Sequence, residues 1–203
     1  MEMITTKEQD MLGEIANISI GNAATTLSMM VGHNVDIDTP KVSIIDSNAV
    51  LDDYEKTCIF VQIHYIKGLS GNNVFVLKEQ DVLAITDLMM GGSGLNVTGE
   101  IGELQLSAAS EAMNQMMGTA ATSMAVLFKF PVDISTPDVS SIDVDSVKKF
   151  QDIFEASPSQ FVKIAFRMEI EGVMTTSMIQ YYPLDFAKEM CSKVDVTMIK
   201  ESA

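Results

Sequence analysis

The sequence predicts a single α/β domain of the α+β type, in which two copies of one unit are related by a pseudo-twofold axis. The chain aligns with itself without gaps when residues 14–46 are placed over residues 111–143, so that Glu14 meets Glu111. Each copy reads as a long helix, a series of β-rich runs and a second helix. The β-rich runs follow one another too closely for helical crossovers, which favours a mostly antiparallel sheet.

The evidence for an internal duplication is strong, because identical residues recur along the whole aligned stretch. The identical pairs include Asn17 with Asn114, Gly21 with Gly118, residues 23–25 with 120–122, residues 35–37 with 132–134, residues 39–40 with 136–137, and Asp46 with Asp143. Later parts match more loosely, residues 61–65 with 162–166 and residues 79–90 with 183–194. We therefore divide the single domain 1–203 into repeats 6–92 and 104–195, joined by the glycine-rich connector 91–103.

The first element of each copy is an amphipathic helix. The run "TTKE" at 5–8 supplies a capping box for the first helix, and we expect Leu106-Ser107 to open the second. A helical wheel separates an apolar face from a polar one in both copies. The predicted buried positions are Leu12, Ala16, Ile20, Ala23 and Leu27, and in the second copy Ala109, Met113, Met117, Ala120 and Met124.

The strands follow in order, because β-rich or alternating runs come after each helix. They are "NVDID", "KVSII", "CIFVQIHYI" and "NNVFVL" in the first copy, and "PVDIS", "DVSSI", "FVKIAFRMEI" and "TTSMIQYY" in the second. Helices at 79–90 and 183–194 close the two copies.

Composition excludes several classes of function. The net charge of −15, with no cluster of Lys or Arg, opposes binding to nucleic acid or anionic lipid. No apolar run is long enough for a membrane span and the start resembles no signal peptide, so we expect a cytoplasmic protein without a transmembrane segment. The two cysteines have no metal or disulfide spacing. The 16 methionines fit core filler better than an adaptable binding face.

The polar face of each long helix carries the candidate site. Glu14, Asn17 and Gly21 lie on one face of the first helix, and Glu111, Asn114 and Gly118 repeat the pattern on the second. In one copy alone this would describe an ordinary solvated face. Because glycine has no side chain, a partner backbone can approach the helix closely at that position. The recurrence of the glycine at the same spacing favours a functional face with Gly21 and Gly118 as partner contacts.

Asparagine and glutamate limit the chemistry. The carboxamides of Asn17 and Asn114 have acceptor and donor groups but no accessible pKa, so they can orient a water and cannot act as bases. Orienting water for in-line attack on a phosphoryl group is the role of glutamine in GTPases. Glu14 and Glu111 can pair with a partner's lysine. The chain has no phosphate loop and no metal-ligand spacing, so a partner must bring the phosphate and the metal.

These residues resemble the motif of the CheC, CheX and FliY phosphatases. In that motif an Asp or Ser is followed by Glu four positions later and by Asn three positions after the Glu, and a Pro follows after 22 intervening residues. Both copies match it, with Asp10, Glu14, Asn17 and Pro40 in the first and Ser107, Glu111, Asn114 and Pro137 in the second. The resemblance covers nearly the whole chain and is strongest to the FliY type, the switch-associated members. It implies a six-stranded sheet with the two motif helices side by side on one surface.

The resemblance implies a protein phosphatase that hydrolyses the aspartyl phosphate of the chemotaxis regulator CheY. Asn17 and Asn114 would orient water, Glu14 and Glu111 would anchor the regulator, and Asp10 and Ser107 would belong to the partner-binding motif. The resemblance also implies that the chain would need no cofactor of its own, because phosphorylated CheY would supply Mg²⁺. As part of a FliY protein it would also meet FliM, FliG and FliN-type switch proteins on the inner side of the membrane at the flagellar basal body. A FliN-like domain is not visible in the sequence, which leaves switch assembly open.

Two other interpretations stay open from the sequence. One is a free-standing phosphatase of the CheC type. The other is a non-catalytic CheY-docking module of the flagellar switch, in which the twin helices only bind.

Overall fold

A computed structural model describes residues 4–50, 57–143, 154 and 158–194. Of the expected domain 1–203, residues 1–3, 51–56, 144–153, 155–157 and 195–203 lie outside this description, including residue 195 at the end of the second repeat. The described part contains four helices and eight strands, and they occur in the predicted order.

The element bounds show the duplication directly. The first half contains α1 (Thr6–Val31), β1 (Val35–Ile37), β2 (Lys41–Asp46), a 3₁₀ turn (Ser47–Ala49), β3 (Thr57–Lys67), β4 (Gly71–Lys78) and α2 (Glu79–Met89). The second contains α3 (Glu103–Phe128), β5 (Asp133–Ile134), β6 (Asp138–Asp143), β7 (Gln160–Ile170), β8 (Met174–Pro183) and α4 (Leu184–Lys193). Helices α1 and α3 both have 26 residues and start and end 97 positions apart.

The two long helices begin with different caps. At the start of α1 the predicted capping box is present, since Thr5 Oγ1 accepts from the Glu8 N–H and the Glu8 carboxylate accepts from the Thr5 N–H. The expected start of the second helix at Leu106-Ser107 is wrong, because α3 begins at Glu103. Its cap is Gly102, whose N–H donates to the Gln105 side chain at 3.1 Å. The start of α3 was not recognisable in the sequence, because its N-cap is a glycine and not the Ser, Thr, Asp or Asn that usually marks a helix start.

The sheet has eight strand segments in six positions, which agrees with the six-stranded expectation. Both β1 and β2 pair with β7, and both β5 and β6 pair with β3, so each pair of short strands forms one interrupted edge. The central strands run in the order β7, β8, β4, β3, and every pairing is antiparallel. The pseudo-twofold axis passes between β8 and β4, where the two repeats join.

Strand pairing fixes which residues are equivalent in the later part of the repeats. Lys41 pairs with Ala165, while its equivalent Asp138 pairs with Gln62. Gln62 is therefore equivalent to Ala165. The sequence alignment of 61–65 with 162–166 had paired Gln62 with Lys163, two residues earlier. That looser alignment was out of register. A shift of two residues keeps every side chain on the same face of a strand, so the alternation pattern could not reveal it.

The motif helices α1 and α3 lie side by side and antiparallel on one face of the sheet. Two hydrogen bonds join them, from Asn22 Nδ2 to Ser123 Oγ and between the hydroxyls of Thr26 and Thr119, both at 2.9 Å. Asn22 is equivalent to Thr119, and Thr26 to Ser123, so the axis that relates the repeats also relates these two bonds. The helices therefore cross at the level of residues 24 and 121.

A hydrophobic core lies on each face of the sheet. Between the sheet and the helices it contains all seven methionines that are buried in the described residues, which confirms the core interpretation for them: Met113, Met116, Met117, Met124, Met168, Met178 and Met190. On the opposite face, Val50 and Phe154 from the two connecting segments cover Phe60, Phe161 and Tyr181. Both cysteines are free and buried, and burial raises the pKa of each thiol to about 12.

Candidate functional site

The predicted division of the long helices into two faces is confirmed. All ten positions assigned to the inner face are buried, and they pack between the helices and the sheet. On the outer face of α3, Glu111, Asn114 and Gly118 are exposed, together with Thr122 one turn further on. The stripe singled out in the sequence is therefore a surface stripe, and a partner can reach it.

The first copy of the stripe is more enclosed than the second. Glu14 and Asn17 are half-buried, whereas Gly21 is exposed. Edge strand β2 packs beside this part of α1, since a Cβ added at Gly13 would lie 3.4 Å from Val42 Cγ2. Both copies remain open to solvent, with the second presenting its carboxylate and carboxamide more fully.

The two glutamates also differ in their local partners. Gln115 Nε2 donates to Glu111 Oε1 at 2.6 Å, one turn along the same helix. The equivalent of Gln115 in the first copy is Ile18, which has no donor to offer Glu14. Sequence analysis missed Gln115, although its position four residues after a glutamate was a visible signal.

The stripe glycines are not required by packing. A Cβ built at Gly21 or at Gly118 meets no atom within 4 Å, so neither residue serves a close approach inside the molecule. By contrast, a Cβ at Gly71 would lie 2.4 Å from the Phe186 ring. The bare surface at the two stripe positions is therefore available to a partner, and their role as partner contacts stays a prediction.

The remaining motif residues flank the stripe. Asp10 and Ser107 are exposed one turn before Glu14 and Glu111 on the same helix faces. Pro40 and Pro137 immediately precede edge strands β2 and β6, and Pro137 is buried. The prolines are thus part of the scaffold, while Asp10 and Ser107 can contact a partner.

The two copies of the site are well separated. Asn17 lies seven residues before the crossing level on α1, and Asn114 lies seven residues before it on α3. Because the helices are antiparallel, these distances extend in opposite directions and place the two carboxamides about 20 Å apart at 1.5 Å per residue. One small substrate cannot bridge them, so the surface carries two separate candidate sites.

The chemistry on offer is limited to hydrogen bonding and charge. Within the described residues, neither Asn17 nor Asn114 uses its carboxamide in a hydrogen bond to the protein, so both can hold a water. His, Cys, Asp and Glu side chains do not come together in a potential metal site anywhere in residues 4–50, 57–143 and 158–194. In that same part of the chain, no helix is long and apolar enough to cross a membrane. The absence of a resident metal stays a prediction.

Comparisons with known proteins define the class. The model of the CheC-like family matches residues 8–44 and 104–141, which include both motifs with their prolines. The chain belongs to the CheC-like family. It is similar to the flagellar motor switch phosphatase FliY of Bacillus subtilis (strain 168), with 40% identity over 196 residues, which are 97% of this chain and 50% of that protein. The chain thus spans about half the length of that curated relative.

Two further comparisons agree. The crystal structure of Thermotoga maritima FliY superposes with a TM-score of 0.88 at 40% identity, over 95% of this chain and 98% of that one. The CheY-P phosphatase CheC of Bacillus subtilis (strain 168) is 22% identical over 142 residues, 68% of each chain. The similarity to FliY proteins therefore extends over nearly the whole chain, while that to CheC covers about two thirds.

Proposed function

We propose that this chain is a protein phosphatase that hydrolyses the aspartyl phosphate of the chemotaxis response regulator CheY. The observation that carries the proposal is the duplicated outward stripe, in which a Glu and an Asn lie at the same spacing on two helices inside the family-matched segments. The names of the relatives, a flagellar motor switch phosphatase and a CheY-P phosphatase, support the same activity.

The reaction suits a site whose asparagines can act neither as base nor as nucleophile. Water attacks phosphorus in line, the bond from phosphorus to the aspartyl oxygen breaks, and the regulator's carboxylate leaves with the bonding electrons. Because a carboxylate of ordinary pKa near 4 is a good leaving group, no general acid is needed. The attacking water loses its proton to solvent or to the phosphate. What remains is to hold the water in line, and the carboxamides of Asn17 and Asn114 can do this.

The regulator supplies the rest of the site. It brings the phosphorylated aspartate and the Mg²⁺ that neutralises charge on the phosphoryl oxygens. Glu14 and Glu111 are placed one turn from the asparagines, and as carboxylates they favour a cationic side chain of the regulator rather than the phosphate itself. Their role is therefore docking, with Asp10, Ser107 and the bare surface at Gly21 and Gly118 extending the contact.

The similarity to FliY supports a role for this activity in the flagellar switch. We expect the chain to be the catalytic core of a switch protein on the inner side of the membrane, near FliM, FliG and FliN-type proteins. The greater coverage and identity with FliY than with CheC favour this over a free-standing CheC-type phosphatase.

Turnover separates an enzyme from a docking module. Phosphorylated CheY is mixed with a tenth of its concentration of the chain in the presence of Mg²⁺, and release of inorganic phosphate is followed. A phosphatase converts many equivalents of regulator faster than its spontaneous decay. Binding without any acceleration would identify a docking module of the switch instead.

A further inference from the structure

Among the exposed apolar side chains of the motif helices, one pair lies at equivalent positions of the two repeats. Met29 on α1 is 74% exposed and Val126 on α3 is 63% exposed. They are equivalent in the two repeats, 97 positions apart, and both continue the outward stripe beyond Thr25 and Thr122. Exposed large apolar residues at equivalent positions of both copies indicate an interaction surface more than chance exposure does.

The antiparallel crossing determines which site each residue is near. Since Thr26 faces Thr119 and Asn22 faces Ser123, Val126 lies at the level of residue 19 on the other helix. It is therefore offset from Asn17 by only about 3 Å along the axis, and packed helices are about 9 Å apart. By the same construction Met29 lies at the level of Met116, close to Asn114.

The alternative assignment pairs each apolar residue with the asparagine of its own helix, but the distance between those two residues is much longer. Met29 is 12 residues from Asn17 on its own helix, about 18 Å, whereas Asn114 is about 10 Å away across the helix pair. A standard interface covers about 800 Å² per partner, a patch of roughly 16 Å radius. A regulator centred on one asparagine covers the apolar residue of the other helix before that of the same helix.

We propose that each docking site for the regulator is assembled from both helices: the Glu–Asn pair of one helix and the exposed apolar residue of the other. Val126 completes the Asn17 site and Met29 completes the Asn114 site. This inference rests on the proposed function, and the partner is the phosphorylated regulator, because both side chains are continuous with the surface that holds the motif. Met29 and Val126 bind the regulator's apolar surface and take no part in the chemistry.

Crossed variants test the assignment. In an Asn17→Ala background only the Asn114 site works, and Met29→Gln should raise the half-saturating regulator concentration about three- to tenfold, as expected for loss of most of one apolar contact. The maximal rate should change by less than about twofold. Val126→Thr should have the smaller effect there, and the order should reverse in an Asn114→Ala background. Both substitutions nearly preserve shape.

The matched control is Ile66→Thr, because Ile66 is 66% exposed and lies on β3, outside the two motif helices. It should leave both backgrounds unchanged. A same-helix pattern, in which Met29→Gln acts on the Asn17 site, would overturn the proposal, as would no effect of either substitution.

A binding measurement keeps this proposal separate from the phosphatase proposal. If the rate of dephosphorylation does not depend on the asparagines, the proposed function fails, and the dissociation constant of phosphorylated CheY is measured instead. Glu14→Lys or Glu111→Lys then closes one docking site at a time. The same crossed pattern in the dissociation constants supports composite sites, and an uncrossed or absent pattern contradicts them.

Discussion

At the scale of single residues, the structure excludes an internal packing role for the stripe glycines Gly21 and Gly118. Helix interiors disfavour glycine by about 1 kcal/mol relative to alanine, and no neighbouring atom would meet a side chain at either position. Their presence therefore costs stability without serving internal packing. A surface that a partner approaches closely explains both facts.

This argument predicts opposite effects on stability and binding. Gly21→Leu and Gly118→Leu should raise the free energy of unfolding by up to about 1 kcal/mol, since each gains helix propensity without a clash. Regulator binding should weaken, because leucine blocks the surface. Thermal unfolding and titration with phosphorylated CheY measure the two effects. Gly71→Ala is the contrast, since its Cβ meets Phe186 and should destabilise the chain. A destabilised Gly118→Leu variant with intact binding would refute the interpretation.

The glutamates differ from the asparagines in what their removal should change. A docking contact is made in the ground and transition states alike, so Glu14→Gln with Glu111→Gln should raise KM more than it lowers kcat. Steady-state kinetics over a range of phosphorylated CheY measures both constants. Gln115→Ala serves as a comparison variant, because it removes the hydrogen bond to Glu111 and leaves the Glu111 carboxylate in place. An unchanged KM with a large loss of kcat would assign the glutamates to the chemical step.

At the scale of elements, the capping box at the start of α1 provides a test of local stability. Hydrogen bonds from the Thr5 N–H and hydroxyl lower the pKa of Glu8 below its ordinary value. A lowered pKa in the folded state means that Glu8 stabilises the fold above its unfolded pKa, and that this contribution disappears as pH falls through the folded value.

Thr5→Ala should therefore lower the free energy of unfolding by about 1 kcal/mol, as measured by urea denaturation at pH 7. Thr25→Ala is the control, because Thr25 is exposed inside the same helix and makes no cap. Glu8→Gln should cost more at pH 7 than at pH 3, where the carboxylate is protonated in the unfolded chain. A pH-independent cost would show that the charge of Glu8 does not contribute.

Element prediction succeeded where the signal was local and failed where it was not. The capping box, the eight strand segments and the faces of the long helices were visible because each depends on neighbours within one or two turns or on alternation. The start of α3 was misplaced because Gly102 gives no distinctive cap signal. The register of 61–65 was misjudged because the connections between β2 and β3 and between β6 and β7 differ in length by six residues.

At the scale of the whole molecule, duplication explains both the fold and the site. One pseudo-twofold axis relates the strands β4 and β8, the two long helices and the hydrogen bonds between them. The sequence predicted two copies of the site, but it could not predict that Val126 lies at nearly the same level of the helix pair as Asn17, because that placement depends on antiparallel helix packing. The copies have also diverged, with Gln115 in one and Ile18 in the other.

The central claim is that Asn17 and Asn114 each orient an attacking water at an independent site. The most direct test compares Asn17→Ala, Asn114→Ala and the double variant for release of phosphate from phosphorylated CheY, with thermal unfolding to confirm that each is folded. Each single variant should keep a substantial rate, and the double variant should lose on the order of a hundredfold or more while still binding CheY. A double variant that dephosphorylates CheY as fast as the unsubstituted chain would contradict the claim and leave the twin helices as a docking surface.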